Sequence, residues 1–386
     1  MHVPDGFIDA PVSAATGVFA AAAVAVSLRG ARRELGGPGP YAGTGAERTA
    51  PLAGLVAAFI FAVQMLNFPV AAGTSGHLLG GALAAILVGP YTGVLCVSVV
   101  LLMQAVLFAD GGLTALGVNI TDMAVVTTVV AYGIFRGLVK ALPRGRRAVT
   151  AASFAAAVVS VPAAAAAFTG LYALGGTTDV PIGTVFAAMT GVHVLIGIGE
   201  AAITALTVGA VLAVRPDLVY GARGLAKPLQ LRTSPLAGPA ARAGEREPEP
   251  EPAGPARPAA RRSARRVWLA GVAVALVCAG GVSYYASASP DGLEKVAEDQ
   301  GIDAKAEEHA AKGSPLADYS VKDIANPRIS GGLAGVIGVG ATLAVGTGVF
   351  VVVRRRRGAA RDAAGAVADG TAGDAPASPR HTPESA

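Results

Sequence analysis

Apolar stretches separated by short polar segments run along most of the chain. They lie at about 8–28, 50–70, 119–139, 148–172, 183–214, 267–286 and 330–353. Each is long enough for a helix to cross the hydrocarbon core of a bilayer, which takes roughly 20 residues. A further stretch, 78–108, is long for one helix and short for two. Gly89-Pro90 interrupts it, and proline disfavours a helical residue before it.

The basic residues decide whether 78–108 forms one helix or two. Cytoplasmic segments of membrane proteins are enriched in Lys and Arg. If a short helix at 78–88 and a second at 91–108 meet in a tight turn, all Arg-rich segments fall on one side. These segments are 29–48, 136–147, 215–266 and 354–357. The pattern predicts nine crossings, with the amino terminus outside and the carboxyl terminus in the cytoplasm.

The segment 215–266 divides the chain. It is rich in Pro, Ala, Arg and Glu, a composition that buries too little apolar surface to fold. Residues 1–214 are predicted to form a seven-helix bundle. Residues 267–353 are predicted to form a two-helix hairpin with an outer polar segment at 287–329, and the tail 354–386 is predicted to be disordered. The predicted fold class is an all-α polytopic membrane protein.

Composition agrees with a membrane protein and argues against several functions. Charged residues make up 15% of the chain, against about 25% in soluble domains. The net charge of +5 comes from arginines beside apolar spans, so a nucleic-acid partner is not expected. Cys96 and Cys278 lie in apolar runs, which predicts neither a disulfide framework nor a CxxC metal site. The chain lacks a GxxxxGK[ST] motif, so it is not expected to be an ATP-hydrolysing enzyme.

The opening MHVPDG is the strongest candidate for chemistry. The Met1 amine, the His2 backbone amide nitrogen and the His2 imidazole can wrap one ion in fused chelate rings. Planar nitrogen ligation suits Ni(II) or Cu(II) better than zinc; a solvated His2 without a role is the plain alternative. The first eight residues contain Asp5 and no Lys or Arg, the reverse of a signal-peptide n-region. Met1 is therefore expected to stay on the mature chain.

His77 lies in GTSGHLLGG at 73–81, on the predicted outer side with Met1. The glycines let this loop bend back into the bundle, where irregular backbone is tolerated if it is buried or lines a cavity. Two histidines on one face predict a shared metal site, with a purely hydrogen-bonding His77 as the alternative. Thr74 and Ser75 are candidates to support the ligands or to gate access.

Four further polar residues lie in or beside predicted spans, where polar side chains are costly and are functional candidates by default. Gln104 and Asn119 border the ends of two spans. His193 and Glu200 are seven residues apart and share one helix face. The sequence leaves open whether this pair relays protons, forms a buried hydrogen-bonded pair or clamps helices together.

Several segments resemble the CbiM/NikM family, the substrate-binding membrane components of cobalt/nickel energy-coupling-factor transporters. They are MHVPDGF at 1–7, GTSGHLLGG at 73–81, GPYTGVL at 89–95, QAVLFADGGLTALGVN at 104–119 and HVLIGIGEAAIT at 193–204. SPDGLEKVAED at 289–299 resembles the PDGLE domain of the small companion subunit, here on the same chain. Asp110 departs from the pattern, since the family often has His there, and no ligand role is assigned to it.

The resemblance implies that the Met1 amine, the His2 amide and imidazole and the His77 imidazole hold Co(II) or Ni(II). The ion is then the transported substrate, with no permanent cofactor. The resemblance also implies a plasma-membrane location, a transmembrane coupling subunit and two ATPase subunits as partners, and a PDGLE hairpin that supports metal loading. It does not choose between nickel and cobalt.

Two other functions remain open from the sequence. One is a secondary transporter coupled to protons through Asp122, His193 and Glu200. The other is a membrane metal sensor with 215–266 as its output, although that segment shows no foldable pattern.

Overall fold

A computed structural model of the chain describes residues 1–35, 49–71, 73–223 and 264–372. These residues are mostly helical, as predicted. The helices are α1 (Ala10–Glu34), α2 (Thr49–Gln64), α3 (Gly81–Val88), α4 (Pro90–Met103), α5 (Leu116–Asn119), α6 (Thr127–Ala141), α7 (Arg146–Gly175), α8 (Ile182–Val214), α9 (Ala264–Gly280), α10 (Gly292–Gln300) and α11 (Pro327–Ala372). Strands β1 (Phe68–Ala71) and β2 (Thr74–Gly76) form an antiparallel hairpin.

Seven helical stretches of the described residues are long and apolar enough to cross a membrane, and the chain is a multi-pass membrane protein. They are Ala10–Glu34, Pro90–Phe108, Leu116–Ala141, Arg146–Gly175, Ile182–Val214, Arg265–Tyr285 and Pro327–Arg355. α2 (16 residues) and α3 (8 residues) are shorter, so seven of the nine predicted crossings are long enough to span a membrane. The predicted span 50–70 is wrong at its end, because α2 stops at Gln64 and the β1–β2 hairpin follows.

The predicted break at Gly89-Pro90 is present. Gly89 has φ +103°, in the region that favours glycine, and Pro90 begins α4, where its missing N–H costs no hydrogen bond. Glu34 at the end of α1 accepts hydrogen bonds from Tyr91 N at 3.2 Å and Thr92 N at 2.7 Å. A carboxylate is favourable at a helix amino terminus, so Glu34 ties α1 to α4.

The two carboxyl-terminal spans pack directly on α2. A Cβ on Gly54 would lie 2.2 Å from Thr347 Oγ1 of α11, and one on Gly271 of α9 would lie 2.6 Å from a Leu55 methyl. Small residues at such contacts let helices approach closely. α9 and α11 are therefore part of the same helical body as the amino-terminal bundle.

Two segments that the sequence predicts to be disordered are ordered in part. Residues 215–223 form two short 3-10 turns, because apolar Val219 and Ala222 are buried there. α11 runs past the predicted span end to Ala372, in an alanine-rich sequence that favours helix. The rest of the predicted linker (224–263) and of the tail (373–386) lies outside the described residues.

Candidate metal centre

The first nine residues precede α1, turn at Asp5-Gly6 and are fixed at one end of the bundle. The Asn119 side chain makes two hydrogen bonds to the backbone of this segment. Its Oδ1 accepts from Val3 N at 2.7 Å, and its Nδ2 donates to Val3 O at 3.0 Å. The Asp5 carboxylate accepts from Thr114 N at 2.8 Å, and Thr177 Oγ1 donates to Gly6 O at 2.7 Å. These anchors place Met1 and His2 in the interior.

The three nitrogen-bearing residues predicted from the sequence meet at this end. The Met1 nitrogen lies 2.6 Å from His77 Nε2, and both residues are buried. The His2 and His77 rings stack, with centroids 5.0 Å apart and planes inclined by 20°. Residues 76 positions apart in sequence thus share one buried, nitrogen-rich pocket.

The loop after His77 is held by two polar side chains from neighbouring helices. Glu200 of α8 accepts from Leu79 N at 2.6 Å and Gly80 N at 3.2 Å. Gln64 at the end of α2 donates to Leu79 O at 3.0 Å. His77 Nδ1 lies 3.1 Å from Leu78 O, which makes Nδ1 the protonated nitrogen and leaves the Nε2 lone pair facing Met1.

Both ring nitrogens of His2 have partners. Nε2 lies 3.1 Å from Gln104 Oε1, and Nδ1 lies 3.2 Å from Asp110 Oδ1. Tyr319 completes this group, since its hydroxyl donates to Asp110 Oδ2 at 2.6 Å and accepts from Gln104 Nε2 at 3.0 Å. Burial lowers the pKa of His2 to about 4, so the imidazole is neutral at neutral pH, the form that binds metals.

Asp291 of the PDGLE segment reaches the same pocket. Its Oδ2 lies 2.6 Å from the Met1 nitrogen and 3.3 Å from His77 Nε2. Burial acts to raise the pKa of Asp291, but the Met1 ammonium and His77 outweigh it and hold this pKa well below its usual range. Sequence reasoning missed this contact, because the PDGLE segment shows only a turn with two charges.

Asp291 is positioned by the end of α10. Its Oδ1 accepts from Leu293 N at 2.7 Å and Glu294 N at 2.9 Å, and Glu294 Oε2 accepts from Asp291 N at 2.7 Å. This reciprocal arrangement is a capping box. It occupies Oδ1 and leaves Oδ2 to face Met1.

Strand β2 is hydrogen-bonded along its edge to the PDGLE turn, the residues just before α10. Ser75 N donates to Pro290 O at 2.8 Å, and Ser75 Oγ donates to Ser289 O at 2.8 Å. The neighbouring Thr74 is buried in β2. The β1–β2 hairpin therefore links the His77 loop to the segment that bears Asp291.

His193 and Glu200 do not bond to each other. His193 Nδ1 donates to Met189 O at 2.7 Å, whereas Glu200 binds the loop after His77. Neither oxygen of buried Asp122 has a hydrogen-bond partner among the described residues. The contacts of Glu200 therefore join α8 to the loop after His77, and His193 takes no part in them.

Two family models match the chain. The model for the cobalt uptake substrate-specific transmembrane region covers residues 2–218, and the model for the PDGLE domain covers residues 265–355. The first includes His2 and His77 and begins one residue after Met1, and the second spans the segment that bears Asp291.

Individual proteins are also similar. A protein of Haloquadratum walsbyi named as a metal transport protein is 42% identical over 222 residues, 57% of this chain and 94% of the relative. A protein of Archaeoglobus fulgidus named as a fused nickel transport protein NikMN is 40% identical over 221 residues, 57% of this chain and 68% of the relative. A crystal structure of a transition metal transporter is 29% identical, with a TM-score of 0.47 over 55% of this chain and 93% of that chain.

Proposed function

Because the chain belongs to the family of cobalt uptake substrate-specific transmembrane regions, we propose that it captures Co(II) or Ni(II) for an energy-coupling-factor importer. Cobalt is the substrate in the description of the family, and nickel is the substrate in the name of the Archaeoglobus relative. A transmembrane coupling subunit and two ATPase subunits would supply the driving force. The Met1 end of the bundle would face outward, where the ion arrives.

The contact between Met1 and His77 carries this proposal. Ligand atoms about 2 Å from one ion and at right angles to each other are about 2.9 Å apart. The Met1 nitrogen and His77 Nε2, 2.6 Å apart, are spaced in nearly this way. An ion between them replaces an ammonium proton of Met1, and the His2 imidazole and amide nitrogens complete a planar set of four.

The surroundings of the site fit this role. The His2 imidazole is neutral. Its Nδ1 would give up the contact with Asp110 and bind the ion instead. In the described part of the chain the His2 backbone N–H donates no hydrogen bond, so its nitrogen is available once deprotonated. A cavity of about 500 Å³ is lined by His2, His77 and Asp291 among other residues, which gives an incoming ion room to shed water.

The test is a titration of Ni(II) and Co(II) into purified full-length protein that carries a free Met1 amine. Two variants address the ligands: a one-residue extension before Met1, which displaces the amine, and His77→Ala. His381→Ala serves as a matched histidine control far from the site in sequence. We expect one ion bound tightly by the parent chain and the control, and binding at least a hundredfold weaker in both site variants.

Unchanged binding in the extended chain and in His77→Ala would refute the proposed ligands. Transport through Asp122, His193 and Glu200 would then become the leading alternative. It predicts uptake that persists without ATPase subunits and stops when the proton gradient is collapsed.

A further inference from the structure

The Asp291 carboxylate lies next to two nitrogens of the proposed metal site, the Met1 amine and His77 Nε2. Asp291 Oδ2 lies 2.6 Å from the Met1 nitrogen and 3.3 Å from His77 Nε2, and those nitrogens are 2.6 Å apart. One donor atom each of His2, His77 and Asp291 falls within 4.8 Å of the others. Across the described ranges, these three residues form the one such group of His, Cys, Asp or Glu side chains.

These distances fix where Asp291 lies relative to the proposed chelate. The triangle of Met1 N, His77 Nε2 and Asp291 Oδ2 has sides close to the roughly 2.9 Å between neighbouring ligands of one ion. Met1 and His77 are already neighbours within the plane of four nitrogens. A third atom that neighbours both lies above that plane, in the axial position.

We propose that Asp291 is an axial oxygen ligand of the transported ion and that it broadens metal selectivity from Ni(II) toward Co(II). This inference rests on the proposed site at Met1, His2 and His77. Planar nitrogen sites suit Ni(II) and Cu(II), and low-spin planar Ni(II) holds no axial ligand. A fifth donor, an oxygen, makes the site square-pyramidal, a geometry that Co(II) also accepts.

Hydrogen bonds within the protein position Asp291. The capping box holds Oδ1, and Ser75 holds the preceding Pro290 carbonyl. The Met1 ammonium compensates the carboxylate charge. When a divalent ion replaces the ammonium proton of Met1 and the amide proton of His2, both protons leave to solvent and the local charge stays the same. The buried carboxylate is therefore paired in both states, as buried charges must be.

The experiment compares the parent chain with Asp291→Asn, each full-length and with a free Met1 amine. Ni(II) and Co(II) are titrated separately, and the magnetic susceptibility of the Ni(II)-loaded protein is measured. In the parent chain we expect five-coordinate, paramagnetic Ni(II). In Asp291→Asn we expect planar, diamagnetic Ni(II) and a preference for Ni(II) over Co(II) at least tenfold greater than that of the parent.

Two variants separate ligation from effects on α10. Asp299→Asn removes the same charge from an exposed ion pair with Lys295 and should match the parent. Glu294→Ala removes the hydrogen bond from Asp291 N to the Glu294 side chain, but it keeps the two backbone hydrogen bonds that hold Asp291 Oδ1. If Glu294→Ala reproduces both effects of Asp291→Asn, Asp291 acts by docking α10 and the inference is overturned.

Two further outcomes are decisive. In the first, Asp291→Asn keeps the magnetism and selectivity of the parent chain while His77→Ala loses binding. This result would refute Asp291 as an axial ligand but would still support the metal site at Met1, His2 and His77. Parent-like binding in His77→Ala would refute the metal site, and the inference with it.

Discussion

At the scale of single residues, the site depends on backbone and side-chain groups that are removed from water. Asn119 holds both the N–H and the carbonyl of Val3, two residues from the amine of Met1. The His77 tautomer is set by the Leu78 carbonyl. Such supporting contacts fix the direction of ligand lone pairs, so the pocket is ordered before an ion enters.

The buried His2 predicts a pH-dependent stability of the ion-free protein. Burial lowers the pKa of His2 to about 4, whereas an unfolded chain has a His pKa of about 6.5. Between these values the unfolded chain binds a proton that the folded chain does not, so stability falls as pH falls. The loss is at most about 1.4 kcal/mol per pH unit within that window.

Thermal unfolding in detergent at pH 7 and pH 5, without metal, measures this effect. The unfolding midpoint should drop at pH 5 in the parent chain and drop less in His2→Asn. The same pH dependence in both proteins would contradict the assignment to His2.

At the scale of elements, the junction of α3 and α4 depends on one glycine. Gly89→Ala places a Cβ 2.6 Å from the Glu34 carboxyl carbon at a residue with φ +103°. The strained backbone alone costs about 1–3 kcal/mol, and the clash disturbs the carboxylate that caps α4. We expect a lower unfolding midpoint for this variant.

Gly133→Ala is the matched control for that measurement. Gly133 lies within α6, and a Cβ there meets no atom within 4 Å. Alanine favours helix over glycine by about 1 kcal/mol, so the control should be neutral or stabilised. Equal midpoints for the two variants would show that Gly89 is not required at the junction.

The break at Gly89-Pro90 was predictable because proline and glycine act locally. The meeting of Met1, His2 and His77 was also predictable, since charge placement assigned both segments to one side of the membrane. Asp291 was not, because it is 290 residues from Met1 in sequence and is placed there by the hydrogen bond between β2 and the PDGLE turn and by the packing of Gly292 on α8. Tyr319 was not predicted for the same reason. It contacts Asp110, which is 209 residues away in sequence, and no local pattern marks it.

At the scale of the whole molecule, the two parts of the chain are joined by packing as well as by peptide bonds. Gly54 of α2 meets Thr347 of α11, and Trp268 Nε1 of α9 donates to Pro51 O at 3.3 Å. These contacts do not involve residues 224–263. We therefore expect a protein cleaved at a protease site inserted in 224–263 to remain one particle in detergent.

Copurification of the halves through a tag on one of them measures this association. Gly54→Leu should separate the halves after cleavage, because its side chain enters the space of Thr347. Separation of the halves in the parent chain would show that the helix contacts alone do not hold them together.

The pairing of Met1 with Asp291 also has a consequence for biosynthesis. Met1 meets a partner that is translated 290 residues later, so the Asp291 side of the pocket is added only after the first seven predicted spans have been made. A nascent chain that stops before the PDGLE turn can present two histidines and an amine but not the Asp291 carboxylate. A truncated product of this kind lacks the ion pair between Met1 and Asp291.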